Sequence, residues 1–547
     1  MSFVAGKGTR IGLGVAATAV LAVSTAAGAV ASPPDVAVQH RSGVSTGLPL
    51  GAADLPETRT TTTLQPGVTL TTIFRGVADT TDTWTVEVSS ADTSNPDPDA
   101  PKVAITDKAE ADQTAADLTG AGLSPRVEAV YTPRTADTGG LLGYRVRVGS
   151  FATQADAAST AAQVSAAGYG ASTVYTGWDD DAGAPPTRGP WHLDVLTIDP
   201  KRFTGRLAGD YGPDFVNRET TSSLAQAAGA TAAINAGFFV LDPTAGAPGD
   251  PAGVGVYQGR LESETTNGRP ALLVHDDTAK AAIVRLWWHG SVTGAHGDSL
   301  ALSGLNRVPG LIRNCGEPGD SPLSRPQQDV TCTKANEIVA FDSAYGATTP
   351  SGPGAEVVLN ASGRIVSVNT SRGTAVPAGG HTIQAIGSAA DRLLALARRS
   401  TALSIHSALY RSNGNRLHLR SDESIFNGAP MLVLRGKVHA TPNRDGAVHP
   451  GQPSFYYGWA HKRNPRTFAG IDRHGRLVLV TCDGRSTNSL GLSISETAAV
   501  AHALGMRTAM NLDGGGSTTM VVNGAVINAP SDATGERPIG DALEILP

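Results

Sequence analysis

Residues 511–524, NLDGGGSTTMVVNG, constrain this chain more than any other stretch. One carboxylate, Asp513, stands directly before Gly514, Gly515 and Gly516, and three hydroxyls follow at Ser517, Thr518 and Thr519. Consecutive glycines permit positive φ angles and a close approach of the backbone to a ligand. Successive N–H groups in such a turn form a concave nest suited to phosphate or another anion, and the hydroxyls add neutral hydrogen bonds to the same oxyanion. Upstream, LSISETAAVAHALG reads as a helix: Ser493 with Glu496 three residues on is a capping box, and Gly505 is a natural stop. RTAMNL and TTMVV read as strands on either side of the glycines, with Asn523-Gly524 as a two-residue hairpin turn. The glycines are therefore expected at the tip of packed elements. An acid beside an anion cradle is the equipment for cleaving a sugar–phosphate bond.

Glycosidic cleavage uses two carboxyl groups flanking the scissile bond. Asp513 is the first candidate. The second is Asp483 in CDGRS, which equally suits a turn, or Glu496, which the capping box also explains. Arg466 in NPRTFAG offers a planar fork for phosphate, with the Thr467 hydroxyl beside it, and Arg485 is a second phosphate candidate. Asn235 and Gly237 end a predicted strand in INAGFF, whose two phenylalanines read as core. The expected substrate-binding set is Asn235, Gly237, Arg466, Thr467, Arg485, Gly514, Gly515, Gly516, Ser517 and Thr518. No CxxC or HExxH spacing suggests zinc, and His289 with His296 reads as surface loop. A serine esterase is not suggested: the G-x-S-x-G run at residues 43–47 falls in the expected N-terminal linker, not between a strand and a helix. No cofactor is identified; a divalent ion between Asp513 and a phosphate is compatible with the residues but not required by their spacing.

Five stretches, in this order, resemble the phosphodiester glycosidase family: AAINAGFF (232–239), NPRTFAGID (464–472), CDGRSTNSLGLSISETA (482–498), the glycine run, and GERPIGDALEI (535–545). The matching region runs from about residue 191 to 547. The resemblance implies a hydrolase of sugar-1-phosphodiesters. Where relatives often have His before Pro-Arg-Thr, this chain has Asn464. That counts against a mechanism needing an imidazole there.

A chain of 547 residues suggests two or three domains. Its net charge of −6, with no basic stripe, argues against nucleic acid as a bulk partner. Only 17% of residues are charged and 64 are glycine, which suggests many turns and strands. Lys7 and Arg10 precede an alanine-rich apolar stretch, and Ala29-Val30-Ala31 fits signal-peptidase cleavage before Ser32, with an uncleaved anchor as the alternative. The expected location is extracellular or cell-wall associated, with no membrane segment after cleavage. In an oxidising compartment Cys315 and Cys332 are expected to pair and Cys482 to remain a buried thiol.

Two Pro/Asp/Gly-rich linkers, residues 89–101 and 179–190, frame a second unit. Between them, KVAIT, AEADQTAADLTGAG and RVEAVY are followed by GYRVRVGSF, TQADAASTAAQVSAAG and ASTVYTG. Each half reads strand–helix–strand, giving a βαββαβ, ferredoxin-like module. Its second half, YRVRVGSFATQADAASTAAQVSAAGY, resembles the SPOR domain. That resemblance implies binding to peptidoglycan glycan strands through an exposed sheet face carrying Arg145 and Arg147; a plain spacer is the alternative.

The expected fold is α+β: a strand-rich, mixed-sheet catalytic domain with the SPOR-like module inserted. The expected order is a signal peptide at 1–31, an N-terminal linker at 32–65 and opening strands of the catalytic domain at 66–90, whose TWTVEV pairs with the catalytic sheet. The SPOR-like domain (102–177), a linker (178–190) and the catalytic domain (191–547) follow. The function read from these residues is hydrolysis of a sugar-1-phosphodiester in cell-envelope or extracellular polysaccharide. Two alternatives remain: an exo-glycosidase acting on an unphosphorylated cell-wall glycan, and a non-catalytic peptidoglycan-binding protein.

Overall fold

The computed structural model describes residues 47–78, 81–90, 102–180, 186–266, 268–316, 320 and 326–547. The expected signal segment and the linker stretches 32–46, 91–101 and 181–185 lie outside the described residues. No helix among the described residues is long and apolar enough to cross a membrane.

An eight-stranded antiparallel sheet forms the centre of the catalytic region. Its strand order is Glu57–Gln65, Val68–Arg75, Trp191–Ile198, Leu477–Cys482, Arg466–Asp472, Met506–Asn511, Met431–Leu434 and Lys437–Val438. Side chains alternate across a strand, and here both faces are apolar. Trp191, Leu193, Val195, Phe468 and Val480 pack beneath the helix Ile494–Ala503, against Ile494, Ala498 and Ala501. Leu196, Ile198, Ala469 and Leu479 face the other way, onto Leu272, Phe426, Ile234 and Leu543 of two further sheets. Each fully buried large apolar side chain contributes roughly 1.5–3 kcal/mol. The helix begins at Ser493, whose side chain accepts from the Glu496 N–H while the Glu496 carboxylate accepts from the Ser493 N–H.

The second sheet is antiparallel, in the order Ala525–Val526, Met520–Val522, Ala232–Asn235, Ala542–Leu546 and Arg206–Asp210. The chain leaves the central sheet at Asn511 and enters this one at Met520, so the glycine turn is the crossing between two sheets. Asn523 and Gly524, both with positive φ, make the hairpin turn that follows. A third sheet, including Pro270–His275 and Ala281–Thr293, packs on a fourth that includes Gly352–Leu359, with the helix Ser388–Arg398 closing a separate core. Among the described residues one strand pair is parallel, Gly304–Leu305 with Ile338–Phe341.

Three expectations are corrected. Residues 57–65 are an edge strand of the central sheet rather than linker, because a threonine-rich run has the β-branched shape a half-exposed edge accepts. The segment TWTVEV belongs to the module, not to the catalytic sheet. The module's sheet order is Pro125–Thr132, Gly140–Phe151, Trp84–Ser89 and Gly170–Tyr175. Val86 and Val88 complete the apolar face that covers Ala111 and Leu118 of the helix Lys108–Gly120 and Ala157 and Val164 of the helix Gln154–Ala166. KVAIT is consequently left with a single bridge, Thr106 to Tyr144, while Ala104 and Ile105 pack on Tyr457. The opposite face of the module's sheet, with Arg145 and Arg147, is turned onto the catalytic region, where Arg147 is 1% exposed.

Burial also leaves acids poised to titrate. Burial, reinforced by Asp210, raises the Glu544 carboxyl to about 8 from an ordinary 4.5, and burial raises Asp276 to about 7 from 3.8. One oxygen of each is buried without a hydrogen-bond partner among the described residues. As pH falls below about 8 for Glu544 and below about 7 for Asp276, the folded chain takes up protons that the unfolded chain does not, so stability rises by at most about 1.4 kcal/mol per pH unit per group. Thermal unfolding is expected at a higher temperature at pH 6.5 than at pH 8, and the Glu544→Gln, Asp276→Asn double variant should flatten that slope.

Candidate active site

The joint of the site is a buried carboxamide. Asn235, at the end of its strand, donates from Nδ2 to the Asp513 carbonyl (2.8 Å) and accepts at Oδ1 from the Thr467 hydroxyl (2.8 Å) and the Thr519 N–H (3.1 Å). The Asp513 N–H donates in turn to the Ala236 carbonyl (2.9 Å). One side chain therefore ties the glycine turn to both sheets. Asn235 (1% exposed) and Thr467 (0%) lie beneath the site as supports rather than at its surface. Gly237 is similarly placed: its N–H donates to Asp541 Oδ1 (2.6 Å), and a Cβ there would press on Asn427 and Asp541.

Of the three glycines, Gly515 alone has a positive φ, +59°. Its N–H donates to the Pro465 carbonyl (3.0 Å), and the Ser517 N–H donates to the Gly514 carbonyl (3.1 Å), so these two N–H groups are engaged within the protein and do not form part of the open nest expected. A Cβ at Gly516 would displace the paired ends of the Arg537 and Asp532 side chains.

Above this turn lies a cleft lined by Asp513, Gly514, Gly515 and Ser517, together with Arg466, Arg485 and Asn464. Trp459, Phe238 and Phe239 supply aromatic surface, and Arg313, Gln328, Asp329 and Arg537 complete the charged part. Ser517 Oγ and Asn511 Oδ1, both on residues of the cleft, are buried with no hydrogen-bond partner among the described residues. An unmet buried polar atom costs about 1–3 kcal/mol, which a polar ligand would recover.

The electrostatics favour an anion. Arg466 is buried, its guanidinium donating to the carbonyls of Leu492 (2.9 Å) and Trp459 (2.6 Å) and lying 5.3 Å from the Trp459 ring centroid. Burial, and next the like charge of Arg485, bring it down to about 9. Arg485 itself holds φ at +57°, a conformation a non-glycine residue adopts at a cost of about 1–2 kcal/mol. Its Nε donates to Asn464 Oδ1 (3.1 Å), while the Asn464 amide donates to the carbonyls of Gly458 and Lys462. Asn464 thus aims an arginine.

Two expected carboxylates lie elsewhere. Asp483 is not in the cleft: its Oδ2 meets His192 Nδ1 (2.6 Å), and its Oδ1 accepts from Asn528 (3.1 Å) and the Ala529 N–H (2.9 Å). Burial lowers the His192 pKa, but the Asp483 hydrogen bond and the Asp194 charge outweigh it and leave it raised. Glu496 is used by the helix cap and by Arg463, whose Nη2 approaches to 2.6 Å. Thr518 is buried behind the turn, outside the cleft lining. The cleft's second acid is Asp329, which the motifs do not mark. It sits in the loop closed by the disulfide between Cys315 and Cys332, has φ +59°, and pairs with Arg313 at 3.1 Å. Only three-dimensional closure separates it from Asp320 in the same loop. Among the described residues no group of three or more His, Cys, Asp or Glu side chains is arranged to hold a metal.

The model of the phosphodiester glycosidase family matches residues 353–546, which contain the glycine turn, Arg466 and Arg485. This part of the chain is a phosphodiester glycosidase domain by that match. The SPOR domain model matches residues 103–175. N-acetylglucosamine-1-phosphodiester alpha-N-acetylglucosaminidase of Mus musculus is 45% identical over 109 residues, 20% of this chain and 21% of that protein. The Homo sapiens protein of the same description gives the same identity and coverage. The chain thus spans about a fifth of the length of these curated relatives. A crystal structure of a protein from Burkholderia pseudomallei K96243 superposes with a TM-score of 0.81 at 35% identity, over 93% of this chain and 100% of that one. Asp329 lies outside the family match.

Replacing Asn235 leaves three buried groups without their partner. Asn235→Ala is expected to lower the unfolding free energy by about 3 kcal/mol, measured by denaturant titration.

Proposed function

We propose that this phosphodiester glycosidase cleaves a sugar-1-phosphodiester at the C1–O bond, in a polysaccharide of the cell envelope or the extracellular space. The observation that carries the reading is the pairing of acids and arginines in one cleft: Asp513 and Asp329 with Arg466, Arg485, Arg313 and Arg537. When C1–O breaks, the electron pair leaves with phosphate oxygen. Arginines already in place where that charge develops stabilise it without reorganisation. A phosphate leaving group then has little need of a strong general acid. The two carboxylates take the remaining work at C1, directing water or attacking carbon and accepting the proton that water releases. Trp459 and the two phenylalanines offer apolar faces for a sugar ring. Ser517 Oγ and Asn511 Oδ1, both buried in the cleft wall, supply a hydrogen-bond donor and acceptor.

The signal-like N-terminus and the SPOR domain support secretion and a place in the envelope. The βαββαβ order of the module suits the ferredoxin-like shape expected of a SPOR domain. Because its Arg145–Arg147 face is turned inward, any glycan contact of that domain would use another surface.

The test is hydrolysis of N-acetylglucosamine-1-phosphodiester model substrates beside an aryl glycoside. Asp513→Asn and Asp329→Asn are each expected to lower kcat by roughly 100-fold to 10,000-fold. Arg466→Met is expected to cost about 100-fold on the phosphodiester alone. Equal losses on both substrates would move the reading to an ordinary exo-glycosidase, and undiminished turnover by Asp513→Asn would remove the site assignment altogether.

A further inference from the structure

The module's sheet has two faces because its residues alternate. Val86, Val88, Val146 and Val148 face the module's own helices, while Glu87, Arg145 and Arg147 face the other way. That second face is an ion cluster closed by the catalytic region. Tyr457 donates its hydroxyl to Glu87 Oε2 (2.5 Å) and accepts from Arg145 (2.8 Å). Lys462 Nζ reaches Glu87 Oε1 (2.6 Å), and Arg147 pairs with Asp179 (2.6 Å). Burial raises the Glu87 carboxyl, but Lys462, Arg147 and Arg145 outweigh it and bring it down to about 2. Cutting one member from such a buried cluster leaves the others uncompensated.

Two further attachments grip the same stretch of chain. Behind the sheet, Arg463 donates from its N–H to the Trp178 carbonyl (2.8 Å) and from Nη1 to the Gly177 carbonyl (2.9 Å). At the other end, the Ala136 N–H donates to Ala440 (2.9 Å), and the Asp137 carboxylate accepts from the N–H groups of Asn443 and Arg444. All three hold residues 440–464, which bring Gly458, Trp459 and Asn464 to the cleft. Between Tyr457 and His461 the backbone makes a π-helical turn, with the Lys462 N–H on the Tyr457 carbonyl (2.8 Å). Such turns are rare and concentrate at functional sites. This one projects the half-buried Trp459 beside Arg466 and Phe238 while Tyr457 points back into the module.

We infer that the SPOR domain of this chain is a positioning element of the active site: its sheet clamps the Tyr457–His461 turn, and through it the Trp459 ring, and its Arg145–Arg147 face is not a glycan-binding face. The inference rests on the cleft being the substrate site. The likeness to the Burkholderia pseudomallei structure extends over 93% of this chain, more than residues 191–547 alone amount to, so the docked arrangement is not confined to this sequence.

The test is a double-mutant cycle on the full chain with Glu87→Gln and Trp459→Ala, with Tyr457→Phe as an independent break of the same clamp. Binding of N-acetylglucosamine 1-phosphate is read by calorimetry, and amide exchange over residues 456–464 reads the clamp without ligand. The expected result is exchange faster by about tenfold in Glu87→Gln and binding weaker by about tenfold, with no further loss when Trp459 is already alanine. A Glu87→Gln loss of equal size in the Trp459→Ala background would overturn the positioning role. So would unchanged exchange in both clamp variants. Retention of the wild-type chain on glycan strands stripped of stem peptides, abolished by Arg145→Ala, would overturn the assignment of the face. If the coupling holds while no phosphodiester is hydrolysed, the proposed reaction fails and the positioning role stands.

Discussion

The Asn235 carboxamide is the contact on which the site's geometry depends. The glycine turn crosses from one antiparallel sheet to another, and a crossing with three glycines has little stiffness of its own. Asn235 supplies it by holding Asp513 through its carbonyl, the Arg466 strand through Thr467, and the incoming strand through the Thr519 N–H. A buried amide with donor and acceptor both engaged is costly to misplace by even an ångström. The Asp513 carboxylate is thereby aimed from a backbone fixed on both sides.

The cleft built on this joint is unusual in its charge. Arg466 is buried among carbonyls and an indole face, and its affinity for its proton is reduced by burial and by Arg485. A protein interior tolerates two neighbouring guanidinium groups poorly unless an anion sits between or beside them. Arg485 moreover has a left-handed backbone conformation, a kind of local strain that gathers at functional sites, and its guanidinium is oriented by Asn464. The aromatic surface of Trp459 sits against the same arginine, so a sugar face and a phosphate would be met side by side.

Much of this was legible in the sequence where local chemistry decides local structure. The capping box at Ser493 and Glu496, the Asn523-Gly524 hairpin and the strands around the glycines follow from short-range rules and are found in place. Asp513, Gly514, Gly515, Ser517, Arg466 and Arg485 were nominated by residue type and meet in one cleft. What escaped depends on long-range pairing. Val86-Glu87-Val88 has the same alternation whether it joins the catalytic sheet or the module, and only the register with Val148 and Thr173 decides between them. Asp483 has the look of a catalytic acid until His192 and Asn528, far away in sequence, occupy both its oxygens. Asp329 lies in a loop whose ends are joined by the pairing of residues 311–313 with 331–333 and by a disulfide, and no periodicity marks its place in the cleft. Arg147 reads as an exposed strand residue, and only the docking of a second domain buries it.

The account's central claim is that phosphate leaves from C1 with its oxygen, stabilised by the arginines around Asp513. Hydrolysis of a sugar-1-phosphodiester in ¹⁸O-enriched water tests it most directly. The account predicts the label in the C1 hydroxyl of the released sugar and none in the phosphate. Label in the phosphate would show P–O cleavage and contradict it.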